Sequence, residues 1–411
     1  MAPSLNPRIV LFATMVMASL GCLQPGIDPV FLTLLSIAHP VDPASHGWIV
    51  GATQAGMALG SVIVWRADRL LTPYVFLGAG MLALAASLAT AQTGALLPLL
   101  AIRFCYGLAM GMFYTRAMSG AAAWRPNGAY GGVFLAQLLL STGVALTLPS
   151  VAEAAGAEAA LAGLALVPVL ALLLLVVVSR SVYPVQSVAS VVPEERHPVD
   201  AGAWALAAAS LLFICATMMI WSFAGAMAAA ARIEEGVIGR AVAIGAVAGA
   251  LTALAVSRER LLVNISVTGL FAGLCLLAPI PGAASGDAGL FILSIVLFNI
   301  GSTAIIIRCS GLATARSLDP LFRRLVACTH ALGMILGPVT GSVLTMTLGD
   351  KGLAGGAIVF ILAGCVALLL ASVWERSQPD PERRFWFREP ERRFMRSGAS
   401  LSAREEQTET H

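Results

Sequence analysis

Apolar residues run along this chain in long blocks, and polar residues gather between them. The blocks fall near 9–36, 47–65, 74–93, 95–118, 129–150, 158–178, 203–230, 237–256, 261–280, 288–314, 325–348 and 352–374. A helix needs roughly 20 apolar residues to cross the hydrocarbon core of a bilayer, and each block is close to that length or longer. Nothing alternates with period two, as the strands of a membrane barrel must. The pattern therefore predicts an all-α membrane protein with 12 transmembrane helices. The connections carry turn residues, as in His39-Pro40-Val41-Asp42-Pro43 and Arg125-Pro126-Asn127-Gly128. The segment from Met1 to Arg8 runs into the first block without a small-residue cleavage site, so that block reads as a retained span and not a signal peptide.

The longest polar connection, 179–203, lies at the midpoint and divides the chain into an N-terminal six-helix bundle (1–178) and a C-terminal one (204–374), followed by a basic tail (375–411). Two short patterns recur at one offset. Asp68-Arg69-Leu70-Leu71 returns as Glu259-Arg260-Leu261-Leu262, and Ser119-Gly120-x-Ala122-x-x-Arg125 returns as Ser310-Gly311-x-Ala313-x-x-Arg316, both 191 residues later. Duplicated halves explain both.

Composition sharpens this picture. Of 411 residues, 58% are hydrophobic and 11% charged, whereas soluble domains carry about a quarter charged residues. Basic residues in alternate connections set orientation. Nineteen fall on the side of the two termini, and only Arg232, Arg240 and Lys351 on the other, which predicts cytoplasmic termini in a multi-pass protein of the cytoplasmic (inner) membrane. The one lysine is followed by Gly352, so no phosphate-binding loop exists. The net charge of +3 sits in loops and tail, which gives no nucleic-acid partner. The seven cysteines lie within apolar blocks and read as buried packing residues; no metal and no cofactor is expected. With no HExxH and no GxSxG pattern, an enzyme is not expected either.

Two like-oriented six-helix halves resemble the major facilitator superfamily of secondary transporters, across residues 8–374. In the family's 2–3 connection pattern, Asp68 and Arg69 match, while Val64, Leu71, Thr72 and Pro73 depart from it. Arg103-x-x-Tyr106-Gly107-x-x-x-Gly111 is similar to the family's fourth-span pattern. The glycine-proline pattern that exporters carry in the fifth span is missing there and appears in the eleventh as Gly333-x-x-x-Gly337-Pro338-x-x-Gly341. The resemblance implies alternating access driven by a proton gradient, with Asp68, Arg69, Glu259 and Arg260 at the cytoplasmic gate. The alternative for those four is positive-inside anchoring.

Ionisable groups inside spans are costly and are functional candidates by default. Asp28 shares a helical face with Gly21, Gln24 and Phe31 and is flanked by Pro25, Gly26 and Pro29, which interrupt a helix. A carboxylate in an apolar setting loads and unloads a proton. The resemblance favours its meeting Arg103, as a proton-coupling pair; a fixed ion pair or a capped helix break is the alternative. Arg116 and Arg308 lie nine and eight residues before Arg125 and Arg316, or about 12–14 Å deep at 1.5 Å per residue. Facing a central cavity they would hold a carboxylate or phosphate; otherwise they snorkel or latch helices. Arg103 and Arg116 are 13 residues apart, some 220° around a straight helix, so they do not share one cavity face. Gln54, Tyr114, Gln137, Trp221, Asn299 and His330 complete the substrate candidates, with packing as the competing role for each. The arginine-rich tail, with Pro-Glu-Arg-Arg-Phe at 381–385 and 390–394, would attract anionic lipid. The reading is a monomeric, proton-coupled transporter of a small organic anion. The alternative is a proton-antiport exporter of hydrophobic drugs or of a biosynthetic product.

Overall fold

The computed structural model describes residues 7–67, 72–124, 126–179, 199–256, 263–317 and 320–377. Apart from short turns and connections these are helical, with no strand among the described residues. The first half comprises α1 (Pro7–Gly21), α2 (Gln24–Ala38), α3 (His46–Ala67), α4 (Pro73–Thr90), α5 (Leu96–Trp124), α6 (Pro126–Ala155), α7 (Ala157–Gly163) and α8 (Leu166–Ser179). The second comprises α9 (Ala201–Ala230), α10 (Glu235–Val256), α11 (Ile265–Leu277), α12 (Pro279–Ala284), α13 (Ala288–Ala315), α14 (Pro320–Leu348) and α15 (Asp350–Ser377). Among the described residues, 11 helical stretches are long and apolar enough to cross a membrane, and the bent pair α1–α2 makes a twelfth.

Helix starts follow local chemistry. Asp200, Asn264 and Asp287 each accept a hydrogen bond from a first-turn backbone N–H, at 2.6, 2.9 and 2.8 Å, which satisfies donors that a helix leaves free. Large apolar side chains cover the outside of the peripheral helices, among them Leu270 and Leu274 of α11 and Val359, Leu362 and Val366 of α15, all exposed. Such faces suit lipid, which needs no polar partner.

The first span departs from the single block that hydropathy predicts over 9–36. It is two helices bent by 41°. Proline has no N–H to donate, so Pro25 and Pro29 each leave a carbonyl one turn earlier without its helical partner, and the chain breaks between Gly21 and Gln24. The spans at 158–178 and 261–280 are also divided, the latter where Pro279 starts α12.

A shift of 191 residues carries each span of the first half onto one of the second, α1–α2 onto α9, α3 onto α10 and α5 onto α13 among them, with the bounds of the first five spans agreeing to within three residues. The halves meet from the end remote from the chain termini to about mid-depth. There α3 runs against α14, α2 against α9 and α6 against α10. Glycine makes this approach possible. A Cβ on Gly47 would stand 1.9 Å from the Pro338 carbonyl, one on Gly225 2.3 Å from the Pro29 carbonyl, and one on Gly239 2.4 Å from the Ala145 carbonyl. Two hydrogen bonds across this seam use backbone groups that their own helices cannot satisfy. Trp48 N–H, in the first turn of α3, donates to Ser342 Oγ at 3.1 Å. The Pro25 carbonyl, freed by Pro29, accepts from Trp221 Nε1 at 2.7 Å.

Candidate functional site

The break in the first span sets the site. Asp28 lies one turn beyond Pro25 on α2 and is 1% exposed. Its Oδ1 accepts a hydrogen bond from Gln24 Nε2 at 3.0 Å, the i to i+4 partner on its own helix. Arg103 of α5, 2% exposed, donates from Nε to Thr53 Oγ1 of α3 at 3.2 Å. Its guanidinium lies 4.6 Å from the ring centres of both Phe31 and Tyr106, a geometry in which the ring faces attract the cation. Asp28 and Arg103 are near enough for their charges to interact, yet no hydrogen bond joins them. Asp28 Oδ2 and Arg103 Nη2 are both buried without a partner.

Buried polar atoms are nearly always paired, so unpaired ones call for an explanation. The same half holds two more, Gln54 Nε2 of α3 and Ser141 Oγ of α6; Ser141 meets α2 at Gly26, on a different face from Asp28. Gly26 lets α6 come close, since a Cβ there would lie 2.1 Å from Ser141 Oγ and 3.5 Å from Gln137 Nε2. Tyr114 packs its Cβ and backbone against Gly21 at the start of the break. The structure thus brings Arg103, Tyr114 and Gln137 against the broken span that carries Asp28, on more than one of its faces, while Gln54 is buried on α3; all are in the first half. Thr53 and Ser141 belong to this group and carry no sequence signal; Gln24 stands out only by its spacing from Asp28.

The candidates of the second half are placed differently. Arg308 does not reach toward the first half. Its Nη1 bonds Thr268 Oγ1 at the start of α11, and its Nη2 donates to the Val263 carbonyl at 2.7 Å. The expected pairing of Arg116 and Arg308 around one ligand is therefore not the arrangement seen: Arg116 is half-buried on α5, while Arg308 ties the end of a peripheral helix. Asn299 donates to the Ile295 carbonyl of its own helix at 2.9 Å and fills the space left by Gly245 of α10, which makes it a packing residue. Trp221 is 7% exposed, its N–H committed to Pro25 and its ring stacked on Phe298 with centroids 5.4 Å apart and 8° between planes. His330 is exposed on α14. Asp68, Arg69, Glu259 and Arg260 lie outside the described residues, as does the tail beyond 377. Among the described residues no cluster of three or more metal-ligating side chains occurs.

This architecture has counterparts among solved structures. A mutant of the nucleoside transporter NupG matches with a TM-score of 0.67 at 13% identity, over 89% of this chain and 99% of that one. A bacterial homologue of the human lysosomal transporter Spinster, inward-facing and occupied, matches at 0.66 and 13%, over 90% and 97%. A POT family transporter in complex with 5-aminolevulinic acid matches at 0.67 and 12%, over 90% and 96%. No protein-family model and no curated protein matches the sequence. The likeness shows the fold: the chain has the two-bundle major facilitator fold of a multi-pass membrane protein.

Proposed function

We propose that the protein is a secondary transporter working by alternating access across the cytoplasmic membrane, coupled to protons through Asp28 and Arg103. The observation that carries this reading is the buried Asp28–Arg103 neighbourhood. Here a carboxylate oxygen and a guanidinium nitrogen lie in the core with no partner, beside a helix broken by two prolines. A proton on Asp28 removes a buried negative charge that lacks its full set of donors; its release restores the attraction to Arg103. Closure of the halves at the end remote from the termini supports a cavity entered from the terminal side. The 19 to 3 asymmetry of basic residues puts that side in the cytoplasm.

The cargo we propose is a small organic anion. Arg116, half-buried on α5, carries a guanidinium whose geometry a carboxylate or phosphate matches. Proteins with similar folds transport a nucleoside or hold 5-aminolevulinic acid, so small polar metabolites suit this architecture. A thermal-shift screen of carboxylates, sugar phosphates and nucleosides identifies the cargo, because a ligand that binds only the folded protein raises its apparent stability. The decisive measurement is uptake of that cargo into proteoliposomes under an imposed pH gradient. Asp28→Asn is expected to abolish accumulation above equilibrium and to spare exchange. Undiminished gradient-driven accumulation by this variant would refute the coupling role.

A further inference from the structure

We infer that Trp221 is a positioning residue, which closes the remote end of the molecule over Asp28 by supplying the hydrogen bond that Pro29 denies to the Pro25 carbonyl. In an unbroken α2 the N–H of residue 29 would donate to the carbonyl of residue 25. Proline at 29 has none. The orphaned oxygen faces the other half of the molecule, where Trp221 of α9 donates to it at 2.7 Å. The indole is held for this task. Phe298 of α13 stacks on it almost in parallel, and Gly225, one turn further along α9, lets that helix close on the Pro29 carbonyl.

The bond joins two halves of the chain, so it exists only while their remote ends are together. When they part, the Pro25 carbonyl turns to the water entering the seam. A closed molecule without the indole N–H buries that carbonyl unpaired, which disfavours the closed state specifically. Because Asp28 lies one turn from Pro25, the same bond fixes the geometry of the proton site. This last consequence rests on the function proposed above; the closing role does not.

The test is a distance measurement between spin-labelled noncanonical residues at Gln92 and Asp287, exposed positions in the α4–α5 and α12–α13 connections at the remote end of the two halves, in the full chain in lipid. Trp221→Phe keeps an apolar ring and removes the donor. It is expected to raise the ratio of open to closed molecules by roughly tenfold, the size of one buried hydrogen bond. Pro29→Ala returns a backbone N–H to position 29, so Pro29→Ala/Trp221→Phe is expected to recover the wild-type distribution. Packing of the ring alone cannot produce that rescue. An unchanged distribution in Trp221→Phe overturns the inference, and so does a double variant that stays as open as the single one. If Trp221→Phe does not fold, the double variant must fold, or the inference fails. The measurement needs no cargo and no pH gradient. Its failure beside an intact Asp28 effect on uptake sinks the role of Trp221 alone, and the converse result sinks only the proton coupling.

Discussion

The two halves of this molecule share a helix plan and differ in chemistry. Under the 191-residue shift, Asp28 corresponds to Met219, Gln54 to Gly245, and Arg103 to Ser294. The prolines at 25 and 29 correspond to Ala216 and Ile220. The consequences are visible in the backbone: the first span is broken and bent, whereas α9 runs unbroken from Ala201 to Ala230. Met219 is fully buried among apolar neighbours, and Ser294 satisfies itself by donating to the Phe291 carbonyl at 2.6 Å. One half thus holds an unpaired carboxylate oxygen and guanidinium nitrogen beside a helix break, and the other offers an unbroken, well-packed helix with one indole aimed at that break. The two halves share a frame, and divergence at a handful of positions sets the unpaired carboxylate and guanidinium on one side of it.

The strongest test of that asymmetry compares equivalent positions. Arg103→Met removes the charge that faces Asp28, the hydrogen bond to Thr53 Oγ1 and two ring contacts, together a loss of about 3 kcal/mol or more. The equivalent change in the other half, Ser294→Ala, removes a single local hydrogen bond, about 1 kcal/mol. Thermal unfolding in detergent is expected to show a large drop for the first and a small one for the second. Asp28→Leu combined with Arg103→Met is expected to regain most of the lost stability, since replacing both members of a buried pair by apolar groups is often close to neutral, while gradient-driven uptake stays absent. Equal drops for Arg103→Met and Ser294→Ala would remove the distinction between the halves.

The seam gives the next largest effect. Gly47 has the Pro338 carbonyl 1.9 Å from where a Cβ would be, and both are backbone-fixed. Gly47→Ala therefore penalises closure of the remote end, by about 1–3 kcal/mol on the usual scale of overpacking. Distances between Gln92 and Asp287 are expected to lengthen, without a matching loss in the stability of either bundle. A lower melting temperature with unchanged distances would instead make Gly47 a residue of bundle packing.

The two deep arginines give a third comparison. Arg308→Gln is expected to loosen the start of α11, at a cost of about 1–3 kcal/mol for the lost charged hydrogen bonds, with the apparent KM for an anionic cargo unchanged. Arg116→Gln is expected to raise that KM by tenfold or more, the equivalent of about 1.4 kcal/mol. Hydrogen exchange across 263–270 together with uptake kinetics separates the two. A raised KM for Arg308→Gln with normal exchange would return that residue to the cargo site.

How much of this was legible in the sequence depends on the distance over which each feature is decided. The spans were legible because apolar blocks report burial in lipid residue by residue. The interruption around Asp28 was legible because proline acts on its own helix. The outcome of that interruption was not: the donor that completes the Pro25 carbonyl is 196 residues away, and nothing near Trp221 distinguishes it from a ring that meets substrate. Arg308 shows the same limit in another form. Its depth follows from the rise per residue and is the same whichever way the side chain turns; its direction depends on where α11 packs. Thr53 and Ser141 look like ordinary span residues, and only three-dimensional contact brings Thr53 to Arg103 and Ser141 to Gly26.

The smallest expected effect tests whether glycines report close packing helix by helix. Gly355 and Gly352 lie within one turn of α15. A Cβ on Gly352 would be 2.4 Å from the Leu344 carbonyl, whereas nothing lies within 4 Å of one on Gly355. Alanine is favoured over glycine inside a helix by about 0.5–1 kcal/mol, so Gly355→Ala is expected to raise the melting temperature slightly. At Gly352 the same propensity gain is outweighed by a clash with backbone, which cannot rotate away, and the sign reverses. A gain at both positions would mean that α14 and α15 separate at no cost, and that the close approaches along the Gly47 seam could yield in the same way.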